Sequence, residues 1–219
     1  MTSHDQLAKS LIKLFFTDFL RLADPESAPH LRSEEATFLD KEDFTHWPAG
    51  GRREMDLVAK VPAEREDRPL LVHVEIETDF SSGMDQRLWQ YFMLLHLRHK
   101  LPVLPILVNL RGGRAGVHRE TLREAFHGKV ISAFHYQVLG LSGCRAEEWL
   151  ARPEPIAWAF AALMRAGSWS RARLKLECLR RRSVHRPLRF QSISGSAERT
   201  SWPRRAATGT PRSVTKGLA

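Results

Sequence analysis

Residues 70–77 read Leu70-Leu71-Val72-His73-Val74-Glu75-Ile76-Glu77. Successive side chains on an extended strand point to opposite faces. Leu70, Val72, Val74 and Ile76 therefore share one face, and Leu71, His73, Glu75 and Glu77 share the other. The first face is the aliphatic, β-branched stripe of a strand's core side. The second ends in two carboxylates, two residues apart, beside an imidazole. A buried carboxylate needs a cation, a proton or water to offset its lost hydration. This end of the strand reads as half of a metal site.

Just upstream, Met55, Leu57 and Ala59 alternate with Asp56, Val58 and Lys60, which predicts a strand over 54–61. The polar run 62–69 makes it a hairpin partner of 70–77. Antiparallel pairing brings Asp56 near Glu75 and Glu77, with Lys60 on the same strand face as Asp56. Downstream, Leu88, Trp89, Phe92, Leu95 and Leu97 predict a helix over 84–100. Arg87 and Tyr91, four apart, sit on neighbouring positions of one of its faces. Pro102 to Leu110 is apolar on both faces, the pattern of a buried interior strand. The order strand–strand–helix–strand predicts a mixed sheet of the α/β or α+β type, flanked by helices.

Farther out, Leu7, Leu11, Ile12, Phe15, Phe16, Phe19 and Leu20 predict a helix over 5–22, capped by Ser3. A short strand is expected at 36–39, a turn at Trp47-Pro48-Ala49-Gly50-Gly51 and a loop at 111–114. Short helices are expected at 118–126 and 146–151, with a strand at 130–139 between them. An apolar helix follows at 155–166 and a basic amphipathic one at 169–182. From Ser183 onward Ser, Thr, Gly, Pro and Arg dominate without apolar period, which predicts disorder. The chain thus divides into a domain at 1–169, a basic helix at 170–182 and a disordered basic tail at 183–219.

With 219 residues, 42% of them hydrophobic and 27% charged, the chain has the composition of a globular domain with a real core. Its net charge of +9 is unevenly spread: residues 170–219 hold 11 Arg and 2 Lys against 2 Glu, which leaves residues 1–169 at −2. The tail's charge either tracks a phosphate backbone non-specifically or is incidental. Cys144 and Cys178 match no zinc or redox spacing. No leader and no apolar stretch of membrane-spanning length are read. The expectation is a reduced, cytoplasmic protein without a membrane partner.

Asp on one strand, Glu-x-Glu on the next and then a helix with Gln-Arg-x-x-x-Tyr resembles the restriction-endonuclease-like nucleases, whose signature is Asp, a spacer and Glu-x-Lys. Within them the chain resembles the recombination-promoting nucleases, the transposase-type Rpn/YhgA-like family. The matching stretches are His4-Asp5, Phe38-Leu39-Asp40-Lys41-Glu42, Met55-Asp56-Leu57-Val58-Ala59-Lys60-Val61, His73-Val74-Glu75-Ile76-Glu77, Arg87-Leu88-Trp89-Gln90-Tyr91 and Pro102-Val103-Leu104-Pro105-Ile106. They run in order from about residue 4 to 180. The resemblance implies a central mixed sheet between helices and hydrolysis of DNA phosphodiesters with Mg²⁺, Mn²⁺ being a substitute. It assigns Asp56 and Glu75 as metal ligands; the candidate catalytic set read here is Asp56, Glu75 and Glu77, with Lys60, Arg87 and Tyr91 as candidate auxiliaries.

Glu77 departs from the pattern, because the superfamily usually has Lys there and the YhgA-like group often Gln. A carboxylate in place of a cation makes Glu77 a third ligand, a general base, or the mark of a fold that has lost turnover. Lys60 or Arg87 would then have to supply the positive charge. The plainer readings stand beside these: Glu77 as a solvated strand end, Arg87 and Tyr91 as a pair packing the helix, His73 as a hydrogen-bonded scaffold residue. The family also continues in helical sequence where this chain turns Arg-, Ser- and Pro-rich at about Arg182. A translated alternative frame is the hypothesis for that stretch, and the other frames of the encoding DNA test it.

Overall fold

A computed structural model describes residues 4–39, 55–79, 81–164 and 166–184. The chain divides into a unit Met1–Arg186, which contains every described residue, and a unit Pro187–Ala219, which lies outside them. The expected turn at 47–51, the Ser3 cap and the Asp40-Lys41-Glu42 match also lie outside the described residues, as does the expected disordered tail from 185 onward.

Strand β3 (Leu70–Glu77) is the centre of a six-stranded mixed sheet. It pairs antiparallel with β2 (Leu57–Val61), which in turn pairs antiparallel with the two-residue edge β1 (Thr37–Phe38). On its other side β3 pairs in parallel with β4 (Val103–Asn109). The connection between them is helix α3 (Met84–His99), as a parallel crossover requires. Two further strands, β5 (Gly116–Phe126) and β6 (Lys129–Gly140), complete the sheet in the order β1-β2-β3-β4-β6-β5. The mixed sheet flanked by helices is the architecture that the 54–110 pattern predicts.

Both faces of β3 are covered. Val72, Val74 and Ile76 join the main core with residues of α1 (His4–Leu14), α2 (Phe16–Ala23), α4 (Ala146–Leu150) and α5 (Pro155–Ala161). Ile12, Phe19, Leu20 and Phe160 are among the side chains sealed there, each contributing about 1.5–3 kcal/mol by burial. On the opposite face Leu71 packs with Met55, Val58, Tyr91 and Leu95 beneath α3. Leu88 and Met84 of α3 pack with Leu107, Phe134 and Val138 farther along the sheet.

Three expectations change. The predicted helix over 5–22 is interrupted at Phe15, whose non-helical backbone separates α1 from α2. The predicted helix at 118–126 is strand β5, paired along its whole length with β6. Its alternation of Arg119, Thr121 and Arg123 with Glu120, Leu122 and Glu124 is the stronger period once β6 offers a ladder. The basic helix, α6 (Arg171–Val184), is part of the core rather than an appendage, because Leu174 and Cys178 are buried in it. Cys144 and Cys178 are both free and buried. Among the described residues no helix is long and apolar enough to cross a membrane.

Candidate active site

The register of β2 and β3 decides what faces what. Leu57 stands opposite Val74, so Asp56, one residue before β2, falls beside Glu75. Two hydrogen bonds lock the juxtaposition. The Asp56 backbone N–H donates to Glu75 Oε1 at 3.0 Å, and the Ile76 backbone N–H donates to Asp56 Oδ2 at 2.8 Å. Each carboxylate is thus held by the other strand's backbone. Charge-assisted bonds of this kind are about twice as strong as neutral ones.

Glu75 is held again from its own strand. His73 Nε2 lies 3.0 Å from Glu75 Oε1, and the imidazole is wholly buried. The His73 ring stands edge-on to Tyr91, with centroids 5.5 Å apart and planes at 86°. Tyr91 on α3 therefore orients His73, and His73 orients Glu75. Glu77, at the end of β3, accepts a hydrogen bond from Arg87 Nη2 on α3, and Ser81 Oγ lies 3.4 Å from its other oxygen. The guanidinium expected as an auxiliary is committed to the neighbouring carboxylate.

Lys60 does not reach the site. It is exposed and stands opposite Leu71, toward the far end of β3 from Glu75. The cation comes instead from α1. Lys9 Nζ lies 2.6 Å from Asp56 Oδ1 and 3.0 Å from Asp5 Oδ2, with only 11% of its side chain exposed. Lys9 and Asp5 form an i,i+4 pair on the helix, a spacing visible in the sequence. Nothing in that spacing says that the pair points at Asp56.

The carboxylates open on a cavity of about 540 Å³ at the carboxyl end of β3. Asp5 borders it from one side, and Gly83, Met84 and Arg87 at the amino end of α3 border it from another. Gly83 makes the turn into α3 with φ of 81°, a conformation that favours glycine. Asp56, Glu75 and Glu77 all line the cavity, together with Tyr91.

Compared with family models, curated proteins and solved structures, the chain matches none.

What the site can do follows from its charge. Among the described residues, the permanent cations paired with this set of Asp5, Asp56, Glu75 and Glu77 are Lys9 and Arg87. Burial raises the Asp56 carboxyl above its usual value of 3.8 and the Glu75 charge raises it further, against the opposing pull of Lys9 and the Ile76 N–H. Burial works against the Lys9 ammonium, but its bonds to Asp56 and Asp5 outweigh that and hold it above 10.5. Among the described residues the pocket therefore carries more carboxylates than cations. Among the described residues no group of three or more His, Cys, Asp or Glu side chains is arranged to hold a metal. A Mg²⁺ ion asks less than that, since it keeps several waters and takes one or two carboxylates. Asp56 and Glu75 are hard oxygen donors of the required kind, and the buried Asp5 Oδ1 has no hydrogen-bond partner among the described residues. The donor set fits such an ion.

Proposed function

We propose that the protein is a Mg²⁺-dependent DNA endonuclease of the Rpn/YhgA-like type that hydrolyses phosphodiester bonds. The observation that carries this reading is the juxtaposition of Asp56 and Glu75, bonded across two strands at the mouth of an acidic cavity. Two prealigned carboxylates from adjacent strands are what a water-rich Mg²⁺ site needs. Asp56 and Glu75 would hold the ion, and Mn²⁺ would substitute. When bound, the ion supplies Lewis-acid polarisation of a phosphate and a more acidic water.

The chain's own residues do the rest. The Ile76 N–H and the Asp56 N–H fix the two carboxylates before any ligand arrives, so little reorganisation remains for the reaction. His73, backed by Tyr91, keeps Glu75 pointed across the strands. Glu77 holds Arg87 at the rim, where a guanidinium meets an approaching phosphate. A polyanion enters so acidic a pocket only with cations to receive it, which favours a metal-assisted reaction over a metal-free one.

A specific observation favours a second reading, a fold retained for nucleic-acid or protein binding without turnover: position 77 carries a carboxylate tied to Arg87 where the superfamily usually has a lysine. Nicking of supercoiled plasmid separates the two. The purified protein is expected to nick DNA with Mg²⁺ or Mn²⁺ and to stop with EDTA. Asp56→Ala and Glu75→Ala should each lower turnover by about 100-fold or more. Cleavage that survives both substitutions rules out this site. A folded wild type that binds Mn²⁺ and leaves plasmid intact establishes the binding-only reading.

A further inference from the structure

Position 77 holds no cation, and neither sequence-level substitute reaches Asp56. Lys60 is exposed at the wrong end of the strand pair, and Arg87 is bonded to Glu77. Lys9 is placed differently. Asp56 Oδ2 is taken by the Ile76 N–H, and Lys9 Nζ occupies the remaining oxygen at 2.6 Å. Its second contact, Asp5 Oδ2 at 3.0 Å, anchors the ammonium from its own helix.

Burying an ammonium is costly unless carboxylates compensate it. Anchoring α1 gives no reason to accept that cost, because Ala8 and Ile12 already bury their side chains in the main core. The lysine is spent on the site.

Resting on the nuclease reading above, we propose that Lys9 is the positioning cation of this site: it fixes the Asp56 carboxylate and supplies the positive charge that position 77 does not. The lysine expected on the second acidic strand has its counterpart on the first helix. Asp5 is the tether that keeps the ammonium at the cavity when Asp56 takes another ligand.

The test measures two quantities on the full chain: plasmid nicking, and Mn²⁺ affinity by isothermal titration calorimetry. Lys9→Met and Lys9→Gln remove the charge, and Lys9→Arg keeps it. The Gln variant can still hydrogen-bond both carboxylates, so a folding failure of the Met variant leaves the comparison intact. Nicking is expected to fall by about 100-fold in the two neutral variants and to survive largely in Lys9→Arg. Mn²⁺ should bind about tenfold more tightly to the neutral variants, because removing a cation strengthens the carboxylates' pull on another. A side chain that merely holds the fold together would weaken metal binding and turnover in step.

Wild-type nicking in Lys9→Gln overturns the proposal. So does Mn²⁺ affinity that is unchanged or weaker. If the wild type binds Mn²⁺ but nicks nothing, the nuclease reading fails by itself, and the affinity comparison still decides whether Lys9 acts on Asp56 as a charge. If no variant and no wild type binds Mn²⁺, both readings fall.

Discussion

At Asp56 two opposed influences meet in one side chain. Burial and the Glu75 charge disfavour its ionised form, while Lys9 and the Ile76 N–H favour it, and the first pair prevails. A carboxyl raised above its unfolded value contributes stability that is fully present below about pH 3.8 and is lost as pH rises through the folded value. At pH 7 the ionised group is therefore a net burden on the fold. Asp56→Asn should melt at a higher temperature than the wild type at neutral pH, and calorimetric scans at falling pH should show that advantage shrinking. An advantage that grows on acidification would contradict the electrostatic account. The same substitution should remove nicking, which makes Asp56 a residue where stability is given up for chemistry. Glu77 sits under a different constraint. Glu77→Lys would set two cations side by side at Arg87, so that substitution is not a free repair in this chain.

At the scale of elements, the hairpin β5–β6 shows what a sequence hides. Leu122 and Phe126 lie four apart, as do Glu120 and Glu124, and that spacing imitates a helix turn. Only the pairing partner decides, since a strand is stabilised across the sheet rather than along itself. The hairpin closes through His127 and Gly128, both with positive φ, between the paired residues Phe126 and Lys129. That is the two-residue connection whose twist suits adjoining strands. Where β6 leaves the sheet, Gly140 stands against the Arg114 carbonyl, and a Cβ there would run into that backbone. Gly140→Ala should destabilise by about 1–3 kcal/mol, read as a lower midpoint of urea unfolding. By contrast β3, α3 and β4 were legible almost to the residue. Their patterns are local: an aliphatic alternation, a helical stripe and a run apolar on both faces.

The described residues form a sheet between unequal layers, with α3 on one face and their five other α-helices gathered about the opposite one. Phe160, wholly buried on α5, belongs to the larger core. Phe160→Ala should cost about 3–5 kcal/mol, a large fraction of a domain stability of about 5–15 kcal/mol. A loss below about 1 kcal/mol in chemical denaturation would show that this core collapses around the gap. The candidate site was half legible for a reason set at this scale. Asp56, Glu75, Glu77, Arg87 and Tyr91 come from consecutive elements, so strand register and helix spacing bring them together on paper. Lys9 comes from the first helix and meets Asp56 only because α1 docks against β3, a contact that no periodicity in either element announces.

That division of the site between one continuous stretch and one distant helix sets an order of assembly. The antiparallel pairing of β2 and β3 closes a short loop, so little chain entropy opposes its early formation. The carboxylates are then brought together before α1 settles on them. Until it does, Asp56 and Glu75 stand side by side without the Lys9 ammonium, and α1 docks through the apolar face that carries Ala8 and Ile12. In native-state hydrogen exchange α1 should open as a unit of its own at a lower free energy than β3. Added Mn²⁺ should slow exchange in β3 more than in α1, since an ion held by the carboxylates relieves the strand pair of its dependence on the helix.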